Sequence, residues 1–336
     1  MDIEQVEMKS LGFCGTCKES FKLLLTWKKI FFQIILALIL PLSLIFLTYE
    51  QASNFLFTRI MGDTINLDHI SKGTRSYDVI SRRISSEWLS YWVIKIFYFT
   101  FVLVFSLLST AAVTYTVASI YARRDIAFRI VMSVVPKVWK RLVITFICTY
   151  LAFFLYNTAF VIFLVIWMSL LVQTSAGLPS LIIVSIVYLL GFAYLNVVWQ
   201  LTSVVSVLEN YKGFKAMRKS KELIKGKFWL GFFVLVFPGL VMVGIEVGFL
   251  ILVINLNVVG VLVVRVLLGF LFVVLNLIAI LYALVIEAVL YFVCKSYHNE
   301  VVDRPSLTTH LSREYNNDFS GTGSPKDVQM SDVNNV

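Results

Sequence analysis

The sequence predicts an all-α polytopic membrane bundle, with six transmembrane helices in three hairpin units, each preceded by a cytosolic amphipathic helix. Three observations predict it. Of 336 residues, 59% are hydrophobic and only 15% charged, with a mean hydropathy of +0.85. A soluble domain carries about a quarter charged residues, so the apolar excess here needs lipid as its solvent. Six apolar runs each reach the ~20 residues that cross ~30 Å of hydrocarbon. The basic residues, which give a net charge of +9, fall in short blocks between those runs.

The runs lie at about 30–48, 92–118, 143–172, 180–207, 229–255 and 264–293. The first follows Lys28 and Lys29 with no small-residue cleavage site behind it, so it reads as a retained span rather than a removed signal peptide. Together they make residues 1–294 a six-span membrane domain. Residues 295–336 form a cytosolic tail rich in Ser, Asn and Asp, too polar to offset its ordering entropy and expected to be mostly disordered. Ser324-Pro325 in that tail is a weak candidate phosphosite.

Orientation follows the distribution of lysine and arginine. Of the 29 in the chain, 22 fall in the N-terminus, the loops after spans two and four, and the tail. The block after span four is the densest, with Lys212, Lys215, Arg218, Lys219, Lys221, Lys225 and Lys227. The opposite side holds a long loop, 49–91, whose basic residues are balanced by acidic ones. Both termini are therefore expected in the cytosol. Charge placed this way is a topology signal, and nucleic acid is not the reading it supports.

Three segments precede spans one, three and five: "SFKLLLTWKKIFF" (20–32), "AFRIVMSVVPKVW" (127–139) and "AMRKSKELIKGKFW" (216–229). Each opens on a small residue, a bulky apolar one and a base, and each ends in aromatics, as an internal repeat would. At 100° per residue the third puts Phe214, Ala216, Met217, Ser220, Leu223 and Ile224 on one side and most of its lysines on the other. Such a helix lies in the headgroup layer with its lysines near anionic lipid, or packs by its small residues on the bundle's ends. Gly226 is placed to end it and turn the chain into span five, with Trp139, Phe228 and Trp229 at the interface.

Charges inside spans are costly and mark candidate sites. Glu246 lies mid-span five, Glu287 in the cytosolic half of span six, and Arg265 at its non-cytosolic start, within reach of Glu246. One reading makes Glu246 a proton- or cation-coupling carboxylate with Asn157, Asn196, Gln200 and Asn276 as polar lining. The other, favoured here, makes it a protonated or paired carboxylate that holds helices together. Gly244-x-x-x-Gly248 reads as close helix packing, and Pro41 as a kink in span one.

No cofactor or metal is expected, and no enzyme. Cys14 and Cys17 form a lone CxxC without nearby histidines, too few ligands for zinc. Cys294, and less securely Cys14 and Cys17, are candidates for palmitoylation, with an unmodified thiol the plainer reading. The chain has no paired His/Glu cluster within a span and no G-x-S-x-G, Walker or HExxH pattern.

The run Trp199-Gln200, then "VVSVLENYKGFKAMRKSKELIKGK" and "YFVCKSYHNE", resembles a plant family of uncharacterised six-span membrane proteins, some labelled polyadenylate-binding-protein-binding. The likeness covers most of the chain through residue 298, and the long tail departs from it. The spaced set Glu209, Gly213, Ala216, Ser220, Leu223 and Gly226 is similar, more distantly, to the membrane domain attached to bacterial glycerophosphodiester phosphodiesterases. The resemblance implies a fold and a membrane location and brings no catalytic residues. The function expected is a non-enzymatic scaffold, adaptor or lipid-organising protein of the endomembrane system or plasma membrane. Its partners would be anionic headgroups and proteins at the cytosolic face or tail. A small-solute or ion transporter using Glu246 is the alternative.

Overall fold

Inside lipid no water bonds the backbone, so a chain this apolar must satisfy its own N–H and C=O groups by coiling. The computed structural model describes residues 5–70, 74–122, 128–171, 177–209, 211–255 and 262–299, and among these every regular element is helical. In order they are α1 (Gln5–Ser10), α2 (Phe13–Thr26), α3 (Lys28–Ile34), a π-helical turn (Ile35–Ile39), α4 (Leu40–Asp68), α5 (Arg75–Tyr121), α6 (Phe128–Leu171), α7 (Gly177–Leu208), α8 (Phe214–Leu223), α9 (Phe228–Phe249), a second π-helical turn (Leu250–Asn255) and α10 (Leu262–Tyr297). Six helices are long and apolar enough to cross a membrane, and their windows lie on the six runs read from the sequence. The expected boundary at residue 295 falls inside α10, so Lys295–Tyr297 belong to the bundle, and the rest of the tail beyond Asn299, with Ser324, lies outside the described residues.

The helices pair as α4 with α5, α6 with α7 and α9 with α10, which are the three expected hairpins. Burial is concentrated at one end of the bundle, where the basic segments gather. There α1, α2, α8, the ends of α5, α7 and α10 and the start of α6 share one core, with Leu23, Val117, Val138, Val204, Leu223 and Tyr291 all nearly sealed. We call this the basic end. Towards the far end the hairpins expose their apolar sides, as Phe154, Ile183, Val243 and Phe270 do. Lipid, rather than protein, is the expected solvent for those faces.

Three features depart from the sequence reading. The 49–91 loop is mostly helix, because α4 runs on to Asp68 and α5 starts at Arg75. Apolar runs locate the membrane, but a helix need not stop where hydrocarbon does, and residues 49–91 contain no proline. Arg59 Nε meets Glu87 Oε1 at 3.0 Å and Tyr49 stacks on Tyr98 at 3.6 Å, so the extension is a paired hairpin. Near its base Lys95 lies over the rings of Tyr91 and Trp92, an aromatic girdle of the kind found at membrane interfaces.

The second departure is in the middle unit. Of the segment 127–139, the described residues 128–139 do not form a separate pre-span helix, because α6 starts at Phe128 and continues through Pro136 into the span. In the first and third units a turn intervenes, at Trp27 and at 224–227. The buried positions of α2 (Thr16, Ser20, Leu23) and α8 (Ala216, Ser220, Leu223) share one spacing. That register pairs Ser20 with Ser220, four residues from the pairing by basic residues. The helices dock by their small stripe, and the lysines are free to drift.

The third concerns helix irregularities. At Pro41 the disturbance is the π-helical turn just before it, where the chain widens ahead of a residue that cannot donate to the Ala37 carbonyl. At Gly248 an added Cβ would lie 3.0 Å from the Phe272 ring, the expected close approach. Gly244, by contrast, has open space where a Cβ would stand, with no described residue within 4 Å of it.

Candidate functional site

The residues that carried the family likeness converge at the basic end. α7 ends one residue before Glu209, whose Oε1 accepts from the buried Tyr291 hydroxyl at 2.6 Å and from Lys295 Nζ at 2.9 Å. Lys295 also donates to the Tyr291 oxygen at 3.1 Å, closing a triangle between spans four and six. The "VLENYKG" and "YFVCKSYH" segments therefore meet in space although some 80 residues separate them in the chain, at |i−j| = 82 and 86. An ion pair this shielded is strong only when its remaining bonds are made, as the tyrosine does here.

The same pair of segments seats α8. Gly213, at φ 58°, donates its N–H to Thr145 Oγ1 at 3.0 Å, and a Cβ there would press on Cys148 Sγ. Ser220 Oγ donates to the Val198 carbonyl at 2.8 Å, while Ala216 and Leu223 are buried beside it. At the far end of α8, His298 Nε2 donates to the carbonyls of Leu223 and Lys225, satisfying groups the helix leaves open. Gly226, at φ 83°, then turns the chain under the Tyr297 ring, 2.8 Å from where a Cβ would sit. Lys227 lies over that ring and donates to the Lys9 carbonyl at 3.3 Å, tying α1 to the assembly. Each residue of the Glu209-to-Gly226 motif thus has a structural task.

The remaining cations of the block face outward. The side chains of Lys212, Lys215, Arg218, Lys221 and Lys225 are exposed and bond to no described residue. Lys219 is half-buried and partnered. Between α7 and α8 an open groove is floored by Tyr194, Leu195 and Val198 and walled by Phe214 and Met217. Lys215, Arg218 and Lys221 stand at its rim.

A second space of about 300 Å³ lies within the bundle. Its walls are apolar, among them Leu42, Val102 and Met242, and its polar groups are Ser106, Gln200, Asn276 and Glu287. Gln200 and Asn276 were expected around Glu246; they gather instead with Glu287. Glu246, one turn beyond Met242, is not in the lining, and both it and Arg265 are half-buried with interactions elsewhere. Asn157 serves the α6–α7 hairpin, accepting from the Tyr188 hydroxyl at 2.7 Å, and Asn196 donates to the Phe192 carbonyl in its own helix. Sequence reasoning missed Tyr291, Lys295 and His298 as partners of the motif. The crowding of tyrosine, lysine and histidine in "YFVCKSYHN" was the available signal.

Cysteine chemistry finds little support. Cys294 is fully buried, so acylation there is closed in this fold. Cys14 is exposed and Cys17 half-buried, and among the described residues no group of three or more His, Cys, Asp or Glu side chains is placed to hold a metal.

Six long apolar helices joined at one packed end define a polytopic helical membrane protein. The chain belongs to the family described as Domain of unknown function (DUF8558), which it matches over residues 1–333. No curated protein and no solved structure matches it.

Proposed function

We propose that the protein is a non-enzymatic membrane scaffold that organises anionic lipid on its cytosolic face. The observation that carries this is the α7–α8 groove, an apolar channel at the basic end rimmed by Lys215, Arg218 and Lys221, whose side chains bond to no described residue. An acyl chain against Leu195 and Met217 places a phosphate among these cations, a contact in which charge attraction adds to apolar burial. The basic end is the cytosolic one, by the excess of lysine and arginine there, and the α4–α5 extension is on the other side. α8 is held to the bundle by its buried small stripe and keeps its amphipathic outer surface for the headgroup layer. The family likeness supports the same membrane reading, with kinship to the plant six-span proteins and, further off, to the bacterial membrane domain. The endomembrane system or plasma membrane is the proposed location. Protein partners would meet the same cytosolic face.

The test is reconstitution in nanodiscs of neutral phosphatidylcholine, with and without phosphatidylserine. The anionic lipid should raise the unfolding temperature of wild type and should not raise that of a Lys215→Gln, Arg218→Gln, Lys221→Gln variant. Equal stabilisation of both proteins defeats the proposal. Transport through Glu246 draws less support, since the polar groups it needs gather around Glu287; loss of proton-coupled flux in Glu246→Gln would revive it.

A further inference from the structure

The space of about 300 Å³ inside the bundle holds polar groups that the rest of the fold does not use. Spans one, two, four, five and six all contribute to it, and four side chains carry its polarity: Ser106, Gln200, Asn276 and Glu287. None of the four side chains bonds to another described residue. Asn276 is 2% exposed, and its Oδ1 has no hydrogen-bond partner among the described residues. A native fold pairs nearly all such groups, because an unpaired one in an apolar setting is costly. Buried Asn276, with half-buried Ser106 of α5, Gln200 of α7 and Glu287 of α10 around the same cavity, in a chain that pairs Glu209, Tyr291, Asn157 and Tyr188 closely, marks a place prepared for something that brings its own polar group.

The backbone of α9 adds a further acceptor. Pro238 has no N–H to offer the Val234 carbonyl, and both residues line the cavity. Gly239 beside it leaves open space where a side chain would stand. The entrance is lateral. α9 packs on α10, α7 and α2 but makes at most marginal contact with α4 or α5, although all three helices wall the cavity. A ligand therefore comes from between helices in the lipid phase. The wall offers a carboxyl group, two amide oxygens and the carbonyl that Pro238 leaves open as acceptors, beside the amide N–H groups and the Ser106 hydroxyl as donors. The buried atom left over is an acceptor, Asn276 Oδ1. Apolar cavities of this kind with a few convergent polar groups are the usual form of small-molecule sites.

We propose that this cavity is a binding site for a single-chain lipid amphiphile whose small head donates hydrogen bonds. Its chain lies along Leu42, Val102 and Met242, and its head, a hydroxyl or a protonated amine, meets Glu287, Asn276 and Gln200. This site is separate from the α7–α8 groove, has the opposite charge preference, and stands if the groove reading fails.

The probes are three long-chain molecules with the same diazirine-bearing chain, ending in a primary alcohol, a primary amine or a carboxylate. Each is cross-linked to the full chain in phosphatidylcholine nanodiscs, and the labelled peptides are mapped. The alcohol, the amine or both should label peptides of α9 and α10 at least tenfold more than the carboxylate does. Gly239→Leu fills the open space with a better helix former and should remove that labelling. Ala283→Leu, on the α10 wall, should do the same by a different route, and Glu246→Gln should leave it unchanged. Glu287→Gln then separates the heads: a tenfold fall in amine labelling with the alcohol retained identifies an ammonium, and equal retention of both identifies a hydroxyl. The proposal is overturned if the carboxylate labels as strongly as the others. It is equally overturned if folded Gly239→Leu and Ala283→Leu label like wild type.

Discussion

Two residues show how much this fold asks of single side chains. Glu209 serves both Tyr291 and Lys295, so replacing it by alanine leaves a buried hydroxyl and a shielded ammonium without their acceptor. Glu209→Ala should lower stability by about 2–4 kcal/mol, and Tyr291→Phe, which strands less, by about 1–2 kcal/mol. Denaturant titration in detergent micelles reads both, and a loss under 1 kcal/mol for Glu209→Ala would mean the triangle contributes little. Gly226 is the second case. Its positive φ and the Tyr297 ring above it leave no room for a side chain, so Gly226→Ala should cost about 1–3 kcal/mol. Gly244→Ala, in open space within a helix, should be neutral or gain up to about 1 kcal/mol. The sequence made these two glycines look alike as punctuation and packing. Only the backbone angle and the neighbouring ring separate them.

At the scale of elements, the helical extension changes what lies outside the membrane. α4 is 29 residues long and α5 is 47, about 44 and 70 Å at 1.5 Å per residue, and either exceeds the ~30 Å of hydrocarbon. Their paired ends project from the far side as a stiff hairpin joined by Arg59 and Glu87. A glycosylation sequon engineered near residue 70 should therefore be modified in microsomes, and one engineered near residue 215 should stay bare. The reverse pattern would invert the topology. The extension was not legible in hydropathy, because polarity marks the end of lipid contact and not the end of a helix. The pre-span segments were legible as basic blocks. Which of them is a free-standing helix was decided by docking: α2 and α8 bury a small-residue stripe and end in a turn, whereas the middle segment runs straight into α6.

For the whole molecule, the packed basic end and the opened far end make two mechanical regions. Tyr188, on the far part of α7, packs on Tyr156 and Phe160 and bonds Asn157. It lies 21 residues, about 30 Å, along the helix axis from Glu209. Tyr188→Phe and Glu209→Ala should consequently add in stability within about 0.5 kcal/mol, whereas Glu209→Ala and Lys295→Ala should fall well short of additive. Double-mutant cycles distinguish the two, and strong coupling between Tyr188 and Glu209 would show that the bundle unfolds as one packed unit. By itself the sequence determined the helical class, the six spans and the gathering of base at one end. Those follow from composition and period, which are local properties that any lipid-solvated chain must express. Tertiary structure decided which polar residues meet. Glu209 found Tyr291 and Lys295, while Gln200 and Asn276 turned to Glu287 rather than Glu246. Partner choice depends on how far each helix is rotated and shifted along its neighbours, and that is set by the packing of the small-residue stripes rather than by hydropathy.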